Sequence, residues 1–392
     1  GLTMADLFKE LLSSVDSLNE EQVNTLLSRL NEKKAGQEQE TSKLVHNLET
    51  GKIVACPYCG SATIVKTGKK DGRQRYKCKD CKASFGDTTG TLHQHSKLTK
   101  DQWLGLIKGI LLNISLRKIA DDIGASVQTV WYNKQKICNM LGELFSEQDS
   151  TFNGIVECDE YMVRMSFKGK RDAGFFINRL GRMPKHHRSY SEKLEYLEKN
   201  GLLEELQKTP ERLERLLTAN GANPGRIHEQ ASILTCKDRG QNLYIRPVCI
   251  GRMENQHVMS HLSKRIAQDA IMVTDTYAPY KNFAETENIQ IEQILSERHA
   301  KGAFNLGSIN ALHSRLSAFW PKSAEREPAT KYLDLQLMLF WWLEKKKDLS
   351  IREQVETIYG YLSEQYYSRF TWEKLIKRPL MLDTKNWIPQ RV

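Results

Sequence analysis

The chain has 392 residues, 40% of them hydrophobic, and a formal net charge of +10. That length predicts two or three domains, and no apolar run approaches the ~20 residues that span a bilayer. The longest, Leu335 to Leu343, runs straight into Glu344-Lys345-Lys346-Lys347, so a membrane partner is not expected. The start, Gly1-Leu2-Thr3-Met4-Ala5-Asp6, has no basic stretch leading into an apolar core, unlike a signal peptide. The expected location is therefore the cytoplasm. The excess of Lys and Arg favours a polyanionic partner such as nucleic acid.

In chain order, residues 5 to 33 predict helices: Leu7, Leu11, Leu12 and Val15 keep helical spacing, as do Val23, Leu26, Leu27 and Leu30. Residues 34 to 43 carry no apolar face and predict a linker. Cys56-Pro57-Tyr58-Cys59 is followed, after eighteen residues, by Cys78-Lys79-Asp80-Cys81. Two such knuckles match a tetrahedral four-sulfur zinc site, and four thiolates leave no open position for catalysis. A disulfide scaffold would need a smaller, cysteine-dense secreted chain. Here the other four cysteines, Cys138, Cys158, Cys236 and Cys249, are scattered. Between the knuckles, Ile64-Val65-Lys66 and Arg75-Tyr76-Lys77 predict two short strands joined by a Lys69-Lys70-Asp71-Gly72 turn. The whole reads as a zinc ribbon with Arg73, Arg75 and Lys77 as candidate DNA contacts.

Thr99 caps a predicted helix carrying Trp103, Leu106, Ile107, Ile110 and Leu111. Leu116 to Ile123, Gly124, then Ser126 capping Val127 to Ile137 is the order of a helix-turn-helix. Ile119, Ala120, Ile123, Val127 and Val130 form its expected core. The second helix, with Ser126 at its start, would present Gln128, Thr129, Tyr132, Asn133 and Lys136 to the major groove.

From residue 152 the pattern turns to strands: Gly154 to Val163, Gln230 to Cys236, Leu243 to Ile250, Ala270 to Asp275 and Gln290 to Leu295. Helices are predicted over His257 to Ala267, Asn305 to Trp320 and Ala329 to Lys345, which makes an α/β order. Residues 168 to 229 read as an insertion, basic at first (Lys168, Lys170, Arg171, Lys185, Arg188) and then helical. Asp159 and Asp275 both lie in strand context, where a buried carboxylate is costly unless paired or metal-bound. On neighbouring strands they would converge around hard cations such as Mg²⁺, and a pair of ions can clamp both oxygens of a phosphodiester displacement. Either aspartate alone fits a strand-end turn cap equally well.

Ser308-Ile309-Asn310-Ala311-Leu312-His313-Ser314-Arg315-Leu316, followed by Ala329-Thr330-Lys331-Tyr332-Leu333, resembles the last catalytic segment of certain bacterial insertion-sequence transposases. So do Thr89-Gly90-Thr91 after the ribbon, Cys158-Asp159-Glu160-Tyr161, and Val273-Thr274-Asp275 with Tyr280 beyond it. The resemblance spans residues 53 to 345 apart from the insertion. Ser317 stands where relatives often carry a basic residue, seven positions after Asn310. The resemblance implies a zinc ribbon, a helix-turn-helix and a ribonuclease H-like nuclease with an Asp-Asp-Asn or Asp-Asp-Glu triad. That triad would be Asp159, Asp275 and Asn310, with thirty-four residues between the last two. His313 would contact the phosphate or a ligand, and Arg315 a phosphate.

The expected organisation is a helical segment and linker over 1–50, a zinc ribbon over 51–92 and a helix-turn-helix over 97–145. An α/β ribonuclease H-like domain follows over 152–345, interrupted by the helical insertion 168–229, and a helical tail with Trp372 and Trp387 covers 346–392. The expected cofactors are structural Zn²⁺ and two catalytic Mg²⁺, with Mn²⁺ able to substitute. The expected activity is cleavage of terminal inverted repeats to free a 3′-hydroxyl, and its transfer into target DNA without a covalent protein intermediate. Holding two double-stranded DNA ends implies a homodimer or larger synaptic assembly. The rival expectation is a DNA-binding regulator derived from a transposase with an inactive nuclease domain.

Overall fold

A computed structural model of the chain describes residue 22 and residues 53–70, 73–145, 151–184, 189–218, 229–295, 297, 300–320, 329–364 and 370–384. The N-terminal helices expected over residues 5 to 33, the linker after them, the Asp71-Gly72 turn and Trp387 lie outside these. So do Lys185 and Arg188 of the insertion. The chain divides into two compact units, Gly1–Lys136 with Ile351–Trp372, and Ile137–Ser350 with Glu373–Val392. Among the described residues no helix is long and apolar enough to cross a membrane.

The first unit begins with a three-stranded antiparallel sheet, β1 (Ile64–Lys70), β2 (Arg73–Cys78) and β3 (Ser84–Gly86). β1 runs further than its apolar residues predict, because Lys69 and Lys70 pair with Gln74 and Arg73 instead of turning. The sheet folds over a small core of Ile53, Cys56, Cys78 and Phe85, with Tyr76 stacked on Phe85 at 5.7 Å. Three helices follow: α1 (Lys100–Leu111), α2 (Leu116–Ile123) and α3 (Val127–Leu144). Thr99 closes a capping box with Gln102, Ser115 caps α2, and Gly124 ends α2 in the left-handed conformation at φ 65°, as a glycine at that position readily does.

The close approach of α1 to α2 depends on Gly109. A Cβ there would meet Ile119 Cγ1 at 2.6 Å, and Ile119 is buried. Gly109→Val should therefore overpack the pair and destabilise it by about 1–3 kcal/mol, read as a lower urea midpoint. An unchanged midpoint would mean the two helices do not meet as described.

The sequence pattern does not foresee that α11 (Ile351–Glu364) belongs to this unit. It packs on α1, and His93 sits between Trp103 and Tyr359 at 5.1 and 5.3 Å between ring centres. Phe370 and Trp372 then lie on α3, Trp372 against Trp131 at 5.6 Å and against Tyr132 at 5.5 Å.

The second unit is built on a five-stranded sheet of β4 (Ile155–Arg164), β5 (Gln230–Asp238), β6 (Leu243–Ile250), β7 (Ile271–Thr274) and β8 (Gln290–Gln293). Its spatial order is β6-β5-β4-β7-β8. The first three strands pair antiparallel, while β7 and β8 run parallel to β4. Alternation along β4 sends Val156 and Cys158 to one face. There they join Val258 and Leu262 of α7 (Asn255–Leu262) and Tyr280 and Phe283 of α8 (Ala278–Glu287) in the main core. Glu157, Asp159 and Tyr161 point the other way, toward α9 (Gly307–Phe319). The helix α10 (Leu333–Lys345) packs on β6, where the Trp341 indole donates to the Leu243 carbonyl at 2.9 Å.

Residues 168 to 229 interrupt a hairpin without disturbing its ladder. Arg164 and Gln230 are still register partners, and Met165 N–H donates to the Glu229 carbonyl at 2.8 Å. The inserted chain makes its own lobe of α4 (Tyr190–Lys199), α5 (Leu203–Gln207) and α6 (Pro210–Thr218) over Leu197, Leu206, Leu216 and Leu217. A buried Arg182–Glu229 ion pair at 2.8 Å ties its root. A short hairpin, Ala300–Lys301 with Phe304–Asn305, precedes α9.

Candidate functional site

The four knuckle cysteines come together. Their sulfurs lie within 4.8 Å of one another, and among the described residues they are the one His/Cys/Asp/Glu group of three or more gathered so tightly. Cys56 Sγ is 3.6 Å from Cys81 Sγ, and Cys59 Sγ is 3.6 Å from Cys78 Sγ. Those separations are too long for a disulfide. They match the ~3.8 Å between sulfurs at tetrahedral corners about 2.3 Å from one zinc ion. The cluster can hold a metal such as zinc. Lys66, Lys69, Lys70, Arg75 and Lys77 are exposed on the strands beside it.

On α3 the structure separates the candidate DNA contacts. Ser126 is exposed and its hydroxyl accepts from Thr129 N–H at 3.1 Å, while Gln128 is also exposed and Thr129 is half-buried. Asn133 and Lys136 are buried. Asn133 donates to the Thr129 carbonyl at 2.9 Å, and Lys136 reaches the Leu92 carbonyl at 3.4 Å. Tyr132 donates to the Phe370 carbonyl at 3.3 Å. These placements withdraw Asn133 and Lys136 from a base-reading face and turn Tyr132 toward the returning C-terminal segment. Val127, expected in the small core, is instead 42% exposed.

In the second unit the two aspartates are brought level. The parallel register Glu157↔Val273, carried two residues further, sets Asp159 beside Asp275. Glu160 N–H donates to Asp159 Oδ1, and Tyr277 N–H to Asp275 Oδ1, both at 2.9 Å. Burial, followed by the negative charge of Asp275, raises the Asp159 carboxyl to about 6. Burial also raises Glu160, to about 7, with Asp275 and Asp159 adding to it. Glu160 enters the sequence motif only as the neighbour of Asp159, with no role of its own. It faces the opposite side of β4, where Tyr280 donates to it at 3.2 Å.

α9 is pinned over Asp159 by Glu157, a buried carboxylate that accepts from Ile309 N–H at 2.9 Å at the positive end of the helix. One turn on, His313 Nδ1 lies 3.7 Å from Asp159 Oδ2, and burial lowers its pKa to about 4, so the ring is neutral at pH 7. Its Nε2 is 2.8 Å from the hydroxyl of Thr235. Thr235 is fully buried, is the register partner of Asp159, and itself donates to the Asp159 carbonyl at 2.9 Å. No sequence motif marks Thr235; only its register partner on β4 betrays it. Asn310 is exposed, one turn before His313. Arg315 is also exposed, and its guanidinium grips Glu344 through two bonds of 2.7 and 2.8 Å.

Fold and site together define a multidomain α/β protein with a four-cysteine cluster and a convergent carboxylate pair. The chain is 31% identical over 134 residues to an uncharacterized protein in transposable element ISH50 of Halobacterium salinarum. That stretch is 34% of this chain and 44% of the relative, so the chain matches less than half of the relative's length. A protein of a transposable element is thus among the relatives of this chain. No family model matches the chain. The crystal structure of a pre-cleavage Mos1 transpososome is 12% identical, over 67% of this chain and 79% of that one, with a TM-score of 0.24. The Mos1 strand transfer complex is 15% identical over 70% and 82%, with a TM-score of 0.22. Likeness at such TM-scores is too slight to define a fold, which rests here on the strand order of the second unit.

Proposed function

We propose that this chain is a DNA transposase that binds the terminal inverted repeats of its element, frees their 3′ ends and transfers them into target DNA. The observation that carries the reading is Asp159, in the middle of β4, set level with Asp275, just past the end of the adjacent parallel strand β7. The ribonuclease H-like assignment for the second unit is supported by three antiparallel strands continued by two parallel ones, with helices on both faces. The likeness to a transposable-element protein points the same way.

The donor set fits a hard divalent cation. Hard oxygen ligands suit Mg²⁺, and the Asp159 carboxyl, raised first by burial and then by the charge of Asp275, is a group that a bound cation would relieve. Asp159 and Asp275 would hold Mg²⁺ or Mn²⁺ with a third ligand from α9, where the resemblance implies Asn310. Bound metal would supply an activated water and Lewis-acid stabilisation of the departing oxygen. The protein's own part is positioning. Backbone N–H groups of Glu160 and Tyr277 hold one oxygen of each aspartate, leaving the second oxygen of each for a ligand.

The cysteine cluster would hold structural Zn²⁺, and the ribbon's exposed cations would grip phosphates in a salt-dependent way. Ser126, Gln128 and Thr129 are the base-reading candidates left by the burial of Asn133 and Lys136. Gln128→Ala should cost about 1–3 kcal/mol at one preferred base pair and relax specificity there. Arg75→Ala should instead weaken binding to all sequences alike and flatten the salt slope by about 0.9. Competition binding with substituted end DNA separates the two; indifference to Gln128 would remove α3 as the reader.

The test of the whole reading is incubation of the protein with labelled element-end DNA, Mg²⁺ and a plasmid. Release of 3′ ends and their covalent joining to the plasmid is expected. Tight end binding with no cleavage would instead favour a regulator with an inactive nuclease domain.

A further inference from the structure

We propose that His313, through Nδ1, supplies the third protein ligand to the divalent cation of Asp159 and Asp275, and that Thr235 is the residue that orients it. This rests on the reading of the aspartate pair as a divalent-ion site. The hydrogen-bond logic comes first. The Thr235 hydroxyl has one proton, and it lies 2.9 Å from the Asp159 carbonyl oxygen, which can only accept. That proton is therefore committed. At 2.8 Å from the same hydroxyl, His313 Nε2 must be the donor. In the neutral ring, the form in which an imidazole ligates a metal, that donation uses the single N–H, so Nδ1 keeps its lone pair.

That lone pair faces Asp159 Oδ2 at 3.7 Å. At 3.7 Å the two atoms are too far apart for a hydrogen bond, and in that ring form both are acceptors. Two donors about 2.1 Å from a shared ion lie roughly 3–3.5 Å apart at octahedral or tetrahedral angles. The observed separation is only slightly wider. Metal-bound histidines commonly spend their other N–H on an outer partner that fixes tautomer and ring angle, and Thr235 does this while also tethering the backbone of Asp159. Glu157 completes the support by holding the first turn of α9 against β4. Asn310, by contrast, sits exposed on the same helix.

An imidazole ligand also biases a site away from Mg²⁺ toward softer first-row ions, which makes Mn²⁺ a suitable probe. The experiment is electron spin-echo modulation of Mn²⁺ bound to the full-length, zinc-loaded protein, with Mn²⁺ affinity measured alongside. Coordinated-nitrogen coupling is expected in the unaltered protein, changing to the ¹⁵N pattern when histidine is ¹⁵N-labelled, a readout that needs no substitution. It should vanish in His313→Gln and persist in Asn310→Ala. Thr235→Val should weaken Mn²⁺ binding about 10–100-fold, and Thr235→Ser should restore it. Mn²⁺ binding that depends on Asp159 and Asp275 but shows no histidine nitrogen would overturn the role of His313 and leave the aspartate site standing. Binding indifferent to Asp159→Ala and Asp275→Ala would overturn both.

Discussion

Asp159→Asn is expected to abolish DNA cleavage while raising the melting temperature of the metal-free protein. The two effects share one cause. The folded carboxyl titrates near 6 because it is buried and faces Asp275, whereas an unfolded Asp titrates near 3.9. Between those values the unfolded chain releases its proton first, so folding stability falls as pH rises and the penalty is complete above about 6. At pH 7.5 it is on the order of 1–3 kcal/mol. A neutral carboxamide of the same shape removes it, which should raise the midpoint by a few degrees. The same substitution removes one of the two carboxylates proposed to hold the cation. Losing several kcal/mol of transition-state stabilisation lowers the rate by three or more powers of ten. Loss of activity together with a gain in stability marks a functional charge kept at the expense of the fold. Loss of both would make Asp159 a structural residue. Melting curves at pH 5 and 7.5 add a second check, since the gain should shrink at the lower pH.

Removing the zinc should disable DNA binding without touching the sheet of the second unit. The ribbon's core is four buried residues, two of them Cys56 and Cys78 of the cysteine cluster, and so small a core does not hold a fold alone. Binding free energy at such sites is folding free energy, about 10–16 kcal/mol in zinc-finger peptides. Cys78→Ser, or treatment with a strong chelator, should unfold β1 to β3. Affinity for end DNA should then fall at least tenfold, and the salt slope should flatten by about 0.9 for each phosphate the ribbon no longer neutralises. Stoichiometric zinc by atomic absorption, with amide exchange confined to residues 53–86 on its removal, would support this. Unchanged DNA affinity in the zinc-free protein would place the DNA-binding surface elsewhere.

What the sequence made legible was local. The knuckles at Cys56 and Cys78 announce themselves because four ligands on two tight turns need a fixed spacing. β4 and β7 were readable because each is a run of β-formers ending in or crossing an aspartate. α8 was not, since Ala278 to Glu287 carries a proline in its first turn and its apolar residues Tyr280, Phe283 and Ala284 form a broken stripe. The parallel step from β7 to β8 nonetheless requires a crossover. The burial of Asn133 and Lys136 was hidden for a different reason. α3 is covered on one side by the Leu92 segment and by Phe370 and Trp372, the latter more than two hundred residues away in the chain. Such long-range packing leaves no mark on helical periodicity. Thr235 illustrates the same limit. A threonine late in a strand is ordinary until the antiparallel register places it opposite Asp159.

The most direct measurement is strand transfer from element ends supplied with their 3′-hydroxyls already free, which removes the cleavage step from the comparison. In Mg²⁺ or Mn²⁺ the unaltered protein should join those ends to plasmid DNA, and Asp275→Ala, still binding the ends with equal affinity, should form no joined product. Equal joining by Asp275→Ala would contradict the assignment of the chemistry to the Asp159–Asp275 pair of β4 and β7.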